Sequence, residues 1–289
     1  MRLALGPNDR DADGFYQKRL PKGAPDYVEA VEITFPSGRT AAELCPTEPA
    51  ALVWAAQMGA LTFHPWPVRR PLVDSPDELR IDLDPQAGAS FADAQRVAEV
   101  ARELLAELGI TAFAKTSGNR GIHIHVRLRP QWSFEELRHA AIGFGRELER
   151  RDSGVTMSWW KEERPEGSVF VDFNQNNRDR TVASAWSVRA RPGAPVSTPM
   201  TWARLAELRD PRELNVAAVP DFLASEGDAW ASIDEQAYGL EALLELWEML
   251  PGGELNFPPD YPKMPGEPPR VQPSKKVAAH WDADGNRLA

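Results

Sequence analysis

The chain is short of cysteine, of long apolar runs and of surplus positive charge, and each shortage excludes something. One cysteine, Cys45, in 289 residues rules out an intrachain disulfide and any zinc site built from several cysteines, so packing must stabilise the chain. No stretch approaches the ~18 consecutive apolar residues of a membrane-crossing helix. The first twenty residues carry charges where a signal peptide would be apolar. The expectation is a cytoplasmic protein with no membrane partner. The formal charge of -10 argues at first against nucleic acid, whose phosphates are normally met by lysine and arginine. Its distribution weakens that objection: residues 201–255 hold twelve acidic and three basic residues, whereas residues 115–191 hold ten acidic and fourteen basic. The chemistry is to be sought in the middle of the chain.

Strand and helix periodicities alternate there, which predicts an α+β core with one sheet and helices against it. LRIDLD (79–84) alternates as a strand. SFADAQRVAEVARELLAELG (90–109) follows as an amphipathic helix, with Ser90 as N-cap and Gly109 as terminator. ITAFAKT (110–116) and IHIHVRL (122–128) read as strands joined by the glycine loop SGNRG, and Ser133 and Glu136 stand at capping-box spacing before a helix to about Arg151. SVFVDFN (168–174) and TVASAWSVRA (181–190) read as further strands, the second delivering Arg189. Thr47 to Gly59 is the convincing helix of the N-terminal part, and the tryptophans read as core residues. Proline becomes dense from Pro251, so the expected division is a domain over 1–252 and an extended or partly disordered tail over 253–289.

Asp82 and Asp84 lie two apart on a strand, so both project from one face while Ile81 and Leu83 pack on the other. Asp172 sits in a second apolar strand, where an unpaired charge is costly unless a cation or donor meets it. Hard oxygen ligands suit magnesium or manganese, and two such ions can clamp an in-line phosphoryl displacement. An isolated DxD is more often a turn or a solvated strand face, but here it is accompanied. Ser117, Gly118 and Gly121 form a turn able to offer N–H groups to phosphate, with Arg120 and His123 as further donors. His123 and His125 share the strand face opposite the isoleucines. Taken singly, Arg189 reads as a surface charge and His64 as a loop histidine. Phe15 and Tyr16 read as core aromatics or, beside Lys18, as a stacking platform for a base.

HPW (64–66), RIDLDP (80–85), KTSGNRGIHIHV (115–126), VDFNQNNRDRTVAS (171–184) and SVRARPGAPVSTP (187–199) together resemble the polymerase domain of bacterial ligase D, in the archaeo-eukaryotic primase superfamily. The resemblance runs from about Phe15 to the tail. It implies a primase-polymerase-type core with a central mixed or antiparallel sheet, and template-directed addition of nucleotides to DNA ends or gaps in non-homologous end joining. Manganese (or magnesium) in a two-metal site and a preference for ribonucleotides are also implied. By motif position, Asp82, Asp84 and Asp172 match the metal carboxylates, and Ser117, His123 and Arg189 match residues holding the incoming nucleoside triphosphate. His64, Arg120 and Gln175 match the nucleotide site, and Phe15, Tyr16 and Lys18 match the region near the template. The family's N-terminal stretch of basic residues for a 5′-phosphate has no counterpart, so weaker gap recognition is expected. Ku and a separate DNA ligase are the implied protein partners. A primase that starts chains unprimed, and a non-catalytic end-binding module, are the competing readings. A sugar-nucleotide transferase would explain the DxD but not Asp172 or the SGNRG loop.

Overall fold

The computed structural model describes residues 2–3, 15–17, 19–34, 40–178 and 180–255. Its centre is a six-stranded mixed sheet in the order β11–β7–β8–β6–β10–β9. The strands are β6 (Glu78–Pro85), β7 (Phe113–Thr116), β8 (Ile122–Arg127), β9 (Val155–Thr156), β10 (Val169–Val171) and β11 (Pro199–Met200). Four N-terminal strands precede them: β1 (Arg2–Leu3) and β2 (Phe15–Tyr16) pair with each other, and β3 (Ala30–Thr34) with β4 (Thr40–Leu44). After α1 (Pro49–Gln57), β5 (Ala60–Thr62) joins β1. All pairings in the central sheet are antiparallel except β10 with β9. The expected α+β class and mixed sheet are therefore present.

Alternation in β6 and β8 sorts the side chains. Leu79, Ile81 and Leu83 and their neighbours Ile122, Ile124 and Val126 are all buried on one face, under α2 (Phe91–Glu107) and α3 (Phe134–Arg151). Both helices begin as the sequence predicts. Ser90 and Ser133 each accept from the backbone N–H three residues on, and Asp93 and Glu136 reach back to close capping boxes. Beyond β11 come α4 (Trp202–Glu207), α5 (Val219–Glu226) and α6 (Glu241–Met249), and α6 packs on α3. The fully buried Arg138 of α3 holds Glu254 (2.5 Å) and the Leu255 carbonyl (2.8 Å), so the first residues of the expected tail lie on the domain. The rest of the tail, 256–289, and Lys18 lie outside the described residues, as do the side chains of Phe15 and Tyr16.

Three expectations need correction. Residues 181–190 are not a strand. Their hydrogen bonds go to side chains and loops: the Val188 carbonyl accepts from Thr62 Oγ1 (2.6 Å), and Trp186 N–H donates to Ser197 O (2.7 Å). Trp186, at φ 63°, turns the chain out of extended geometry, leaving a single bridge, Val188 to Val196. The strand around Asp172 ends at Val171, and Asp172 instead caps a 3-10 turn over Phe173–Asn176. The nine described tryptophans sit half-buried at the rim of the core. Trp202 and Trp230 seal the β7 side by donating Nε1–H to the carbonyls of Ala112 and Ala114 (both 3.0 Å).

Candidate active site

The polar face of the sheet is set by register. Asp82 lies opposite His123, and His123 lies opposite Lys115, so the three form a row across β6, β8 and β7. Asp84 shares the Asp82 face two residues on. Asp172 N–H donates to the Asp82 carbonyl (3.0 Å), which brings the third carboxylate beside the first. Asp172 Oδ1 accepts from Asn174 N–H (3.0 Å) and Oδ2 from Gln175 Nε2 (2.8 Å), so Gln175 orients a carboxylate.

Asp82 is buried, Asp172 half-buried and Asp84 open to solvent. All three carboxyls are pushed above the usual carboxylate range, chiefly because surrounding protein replaces water. The charges of Asp84 and Asp172 push Asp82 further, and Asp84 helps lift Asp172 to about 6. Arg164, Arg120 and Arg189 oppose the shift at Asp84 without cancelling it. Asp82 Oδ1 is buried with no hydrogen-bond partner among the described residues, although His123 Nε2 lies 3.3 Å away. Crowded carboxylates with an orphaned oxygen fit a divalent cation, which reverses their repulsion. No three His, Cys, Asp or Glu side chains among the described residues already converge as a metal cage. A carboxylate that accepts two hydrogen bonds, as Asp172 does, still has lone pairs for a cation.

A turn rich in hydrogen-bond donors adjoins the carboxylates. Ser117 Oγ accepts from the N–H groups of Asn119 (3.2 Å) and Gly121 (3.1 Å), which closes the SGNRG turn and leaves the hydroxyl hydrogen to donate outward. Those two N–H groups are thus engaged, contrary to a cradle made of the whole turn. The N–H groups of Gly118 and Arg120 make no hydrogen bond within the described residues. Gly118 has φ +70°, and a Cβ there would lie 2.5 Å from Arg189 Cγ, so the loop and Arg189 meet. Gly118→Ala is expected to lower stability by about 1–2 kcal/mol from the left-handed backbone alone. Melting curves check this; an unchanged melting temperature would refute the close packing. The exposed Arg120 donates to the Pro85 carbonyl (3.3 Å) at the end of β6.

His64 joins the site through its neighbour. Phe63 N–H donates to Ser187 Oγ (3.0 Å), and Ser184 N–H donates to the Phe63 carbonyl (2.9 Å), which ties His64 to the segment that carries Arg189. His64, Trp66 and Trp186 line a cavity of about 520 Å³ beneath the β3–β4 hairpin. The structure thus groups Asp82, Asp84, Asp172, Gln175, Ser117, Arg120, His123 and Arg189, while His64 lines the separate cavity beside the Ser184–Ser187 segment.

Two residues were not foreseen. Lys115, fully buried, places Nζ 2.8 Å from His123 Nδ1 and 2.5 Å from Ser197 Oγ. The signal was available, because a lysine inside ITAFAKT raises the same question as an aspartate inside VFVDFN. Arg164 lies over the Phe170 ring (3.4 Å to its centroid) and is felt electrostatically by Asp84 and Asp172. It stands in a charged loop, and nothing in its sequence context distinguishes it.

Fold and site define an α+β domain whose sheet presents three crowded carboxylates beside a donor-rich turn. The chain belongs to the LigD primase-polymerase domain family, whose model matches residues 1–230. The multifunctional non-homologous end joining protein LigD of Pseudomonas aeruginosa is 32% identical over 237 residues, covering 79% of this chain and 27% of that protein. The multifunctional non-homologous end joining DNA repair protein LigD of Mycobacterium tuberculosis H37Rv is 32% identical over 241 residues, covering 80% and 31%. The chain therefore spans less than a third of the length of either relative. Among solved structures, the polymerase domain of Mycobacterium tuberculosis ligase D in complex with DNA superposes with a TM-score of 0.73 at 30% identity. That match covers 82% of this chain and 85% of the other.

Proposed function

We propose that this chain is a template-directed nucleotidyltransferase that fills or extends DNA ends during non-homologous end joining, with manganese or magnesium at Asp82, Asp84 and Asp172. The observation that carries the reading is the crowding of these three carboxylates, with the orphaned Asp82 oxygen, beside a donor-rich turn. Family membership and the DNA-bound relative support it. Divalent ions bound there would activate a primer 3′-hydroxyl and neutralise charge on the phosphates. The remaining work falls to side chains of the cradle. Ser117 and His123 donate to triphosphate oxygens, and Arg189 and Arg120 stabilise the charge that develops on departing pyrophosphate. Ribonucleotides are the preferred substrate in this proposal, with Ku as a protein partner and a DNA ligase activity to seal the extended ends.

Extension of a labelled primer on gapped DNA with manganese tests the reading, ribonucleotides being compared with deoxyribonucleotides. Template-dependent extension, faster with ribonucleotides, is the expected result. DNA binding without extension would replace the polymerase by an end-binding module. His64→Ala is expected to raise the nucleotide KM about tenfold with little change in kcat, the pattern of lost uniform binding. An unchanged KM would remove His64 from the nucleotide site.

A further inference from the structure

Lys115 reaches no carboxylate oxygen among the described residues, yet it is one of the largest fully buried side chains in the described fold. Its ammonium nitrogen joins two separate walls of the proposed anion cradle. On one side is His123 of β8, through Nδ1. On the other is Ser197, whose segment is bonded to the one carrying Arg189: Ser197 N–H donates to the Ser187 carbonyl (2.9 Å) and Arg189 N–H to the Pro195 carbonyl (2.8 Å). Ser197 Oγ donates its only hydrogen to the Thr116 carbonyl (2.8 Å), so it must accept from Lys115.

We infer that Lys115 is a positioning residue, bracing His123 against the Arg189 segment so that the ring presents Nε2 to the site where triphosphate oxygens bind. The inference rests on the nucleotidyltransferase reading for its kinetic consequence but not for its geometry. Burial presses Lys115 well below the usual lysine range and the Asp82 charge opposes this. In either protonation state Nζ uses one hydrogen on Ser197 and faces Nδ1 with another hydrogen or its lone pair, so the ring is held. Nε2, on the other side of the ring, faces the site and lies 3.3 Å from Asp82 Oδ1.

The test has two independent arms, both on the full chain. The sequence contains five histidines, so nitrogen-15 labelling of histidine gives a spectrum simple enough to assign with His123→Ala. Wild type is expected to show His123 locked in a single tautomer, and Lys115→Met a mixture of tautomers. A mixture of tautomers in wild type, or an identical His123 pattern in the variant, would overturn the inference. In primer extension, Lys115→Met is expected to raise the nucleotide KM about tenfold in the wild-type background and less than about twofold in His123→Ala. Equal factors in both backgrounds would mean that Lys115 does not act through His123. If Lys115→Met does not fold, Ser197→Ala, which removes the other partner of Nζ, is expected to shift both readouts in the same direction by a smaller amount; no shift in either would also overturn it. Absence of extension by wild type would end the polymerase reading, while the spectra would still decide the role of Lys115.

Discussion

Asp82→Asn is expected to reduce primer extension by more than about a thousandfold while leaving the fold and DNA binding intact. The size follows from the charge stabilisation a catalytic metal supplies, several kcal/mol, at about 1.36 kcal/mol per factor of ten in rate. Asparagine suits the test because it keeps the shape of the side chain while removing the charge and exchanging one oxygen for an amide NH2. Asp82 Oδ1 makes no hydrogen bond that the substitution would break. The pairing of β6 with β8 runs through the backbone, and the aliphatic face of β6 points away from the change. Single-turnover extension at saturating nucleotide and manganese measures the chemical step, and a binding assay on the same gapped DNA separates loss of chemistry from loss of substrate. Activity within tenfold of wild type would show that Asp82 holds no metal. Loss of binding together with activity would instead mark Asp82 as part of the DNA-binding surface.

How well the sequence foretold the site depended on how local each signal was. Asp82, Asp84 and His123 were legible because they lie on strands with unbroken alternation, where a single rule places every side chain. The N-cap at Ser90 and the capping box at Ser133 were legible for the same reason, being closed within four residues. Residues 181–190 misled because their β-branched and aromatic residues carry strand propensity, while their actual partners, Thr62, Phe63 and Ser197, are distant in sequence. Such tertiary bonds leave no periodicity. Asp172 was assigned the right neighbourhood and the wrong backbone, because a short side-chain cap to Asn174 ends the strand at Val171, three residues before the expected end. Lys115 was overlooked for a different reason. Its burial is as costly as that of the aspartates, but it lies beside the more conspicuous glycine turn.

The largest effect on stability is expected at Asp172, and in the direction opposite to its effect on activity. Its carboxyl is raised from 3.8 to about 6 in the folded protein. Between those values the folded state holds more protons than the unfolded state, so stability falls as pH rises through this window and is not regained above it. The shift corresponds to about 3 kcal/mol at about 1.36 kcal/mol per unit, and allowing for the partial exposure of the group leaves about 2 kcal/mol. Asp172→Asn removes the penalty and keeps the oxygen that accepts from Asn174 N–H, while the Gln175 amide can rotate to meet the new donor. At pH 7.5 without metal, the variant is therefore expected to melt about 4–8 °C above wild type, taking roughly 2–4 °C per kcal/mol for a chain of this size. Near pH 4 the advantage should vanish, because wild-type Asp172 is then protonated as well. Saturating manganese should raise the melting temperature of wild type and not of the variant, since a ligand that binds only the native state stabilises it by roughly 2.7 kcal/mol at a hundred times its Kd. Primer extension by the variant should be lost throughout. A variant less stable than wild type at pH 7.5 without metal would mean that the hydrogen bonds from Asn174 and Gln175 outweigh the crowding. Asp172 would then be a structural cap rather than a site held ready for a cation.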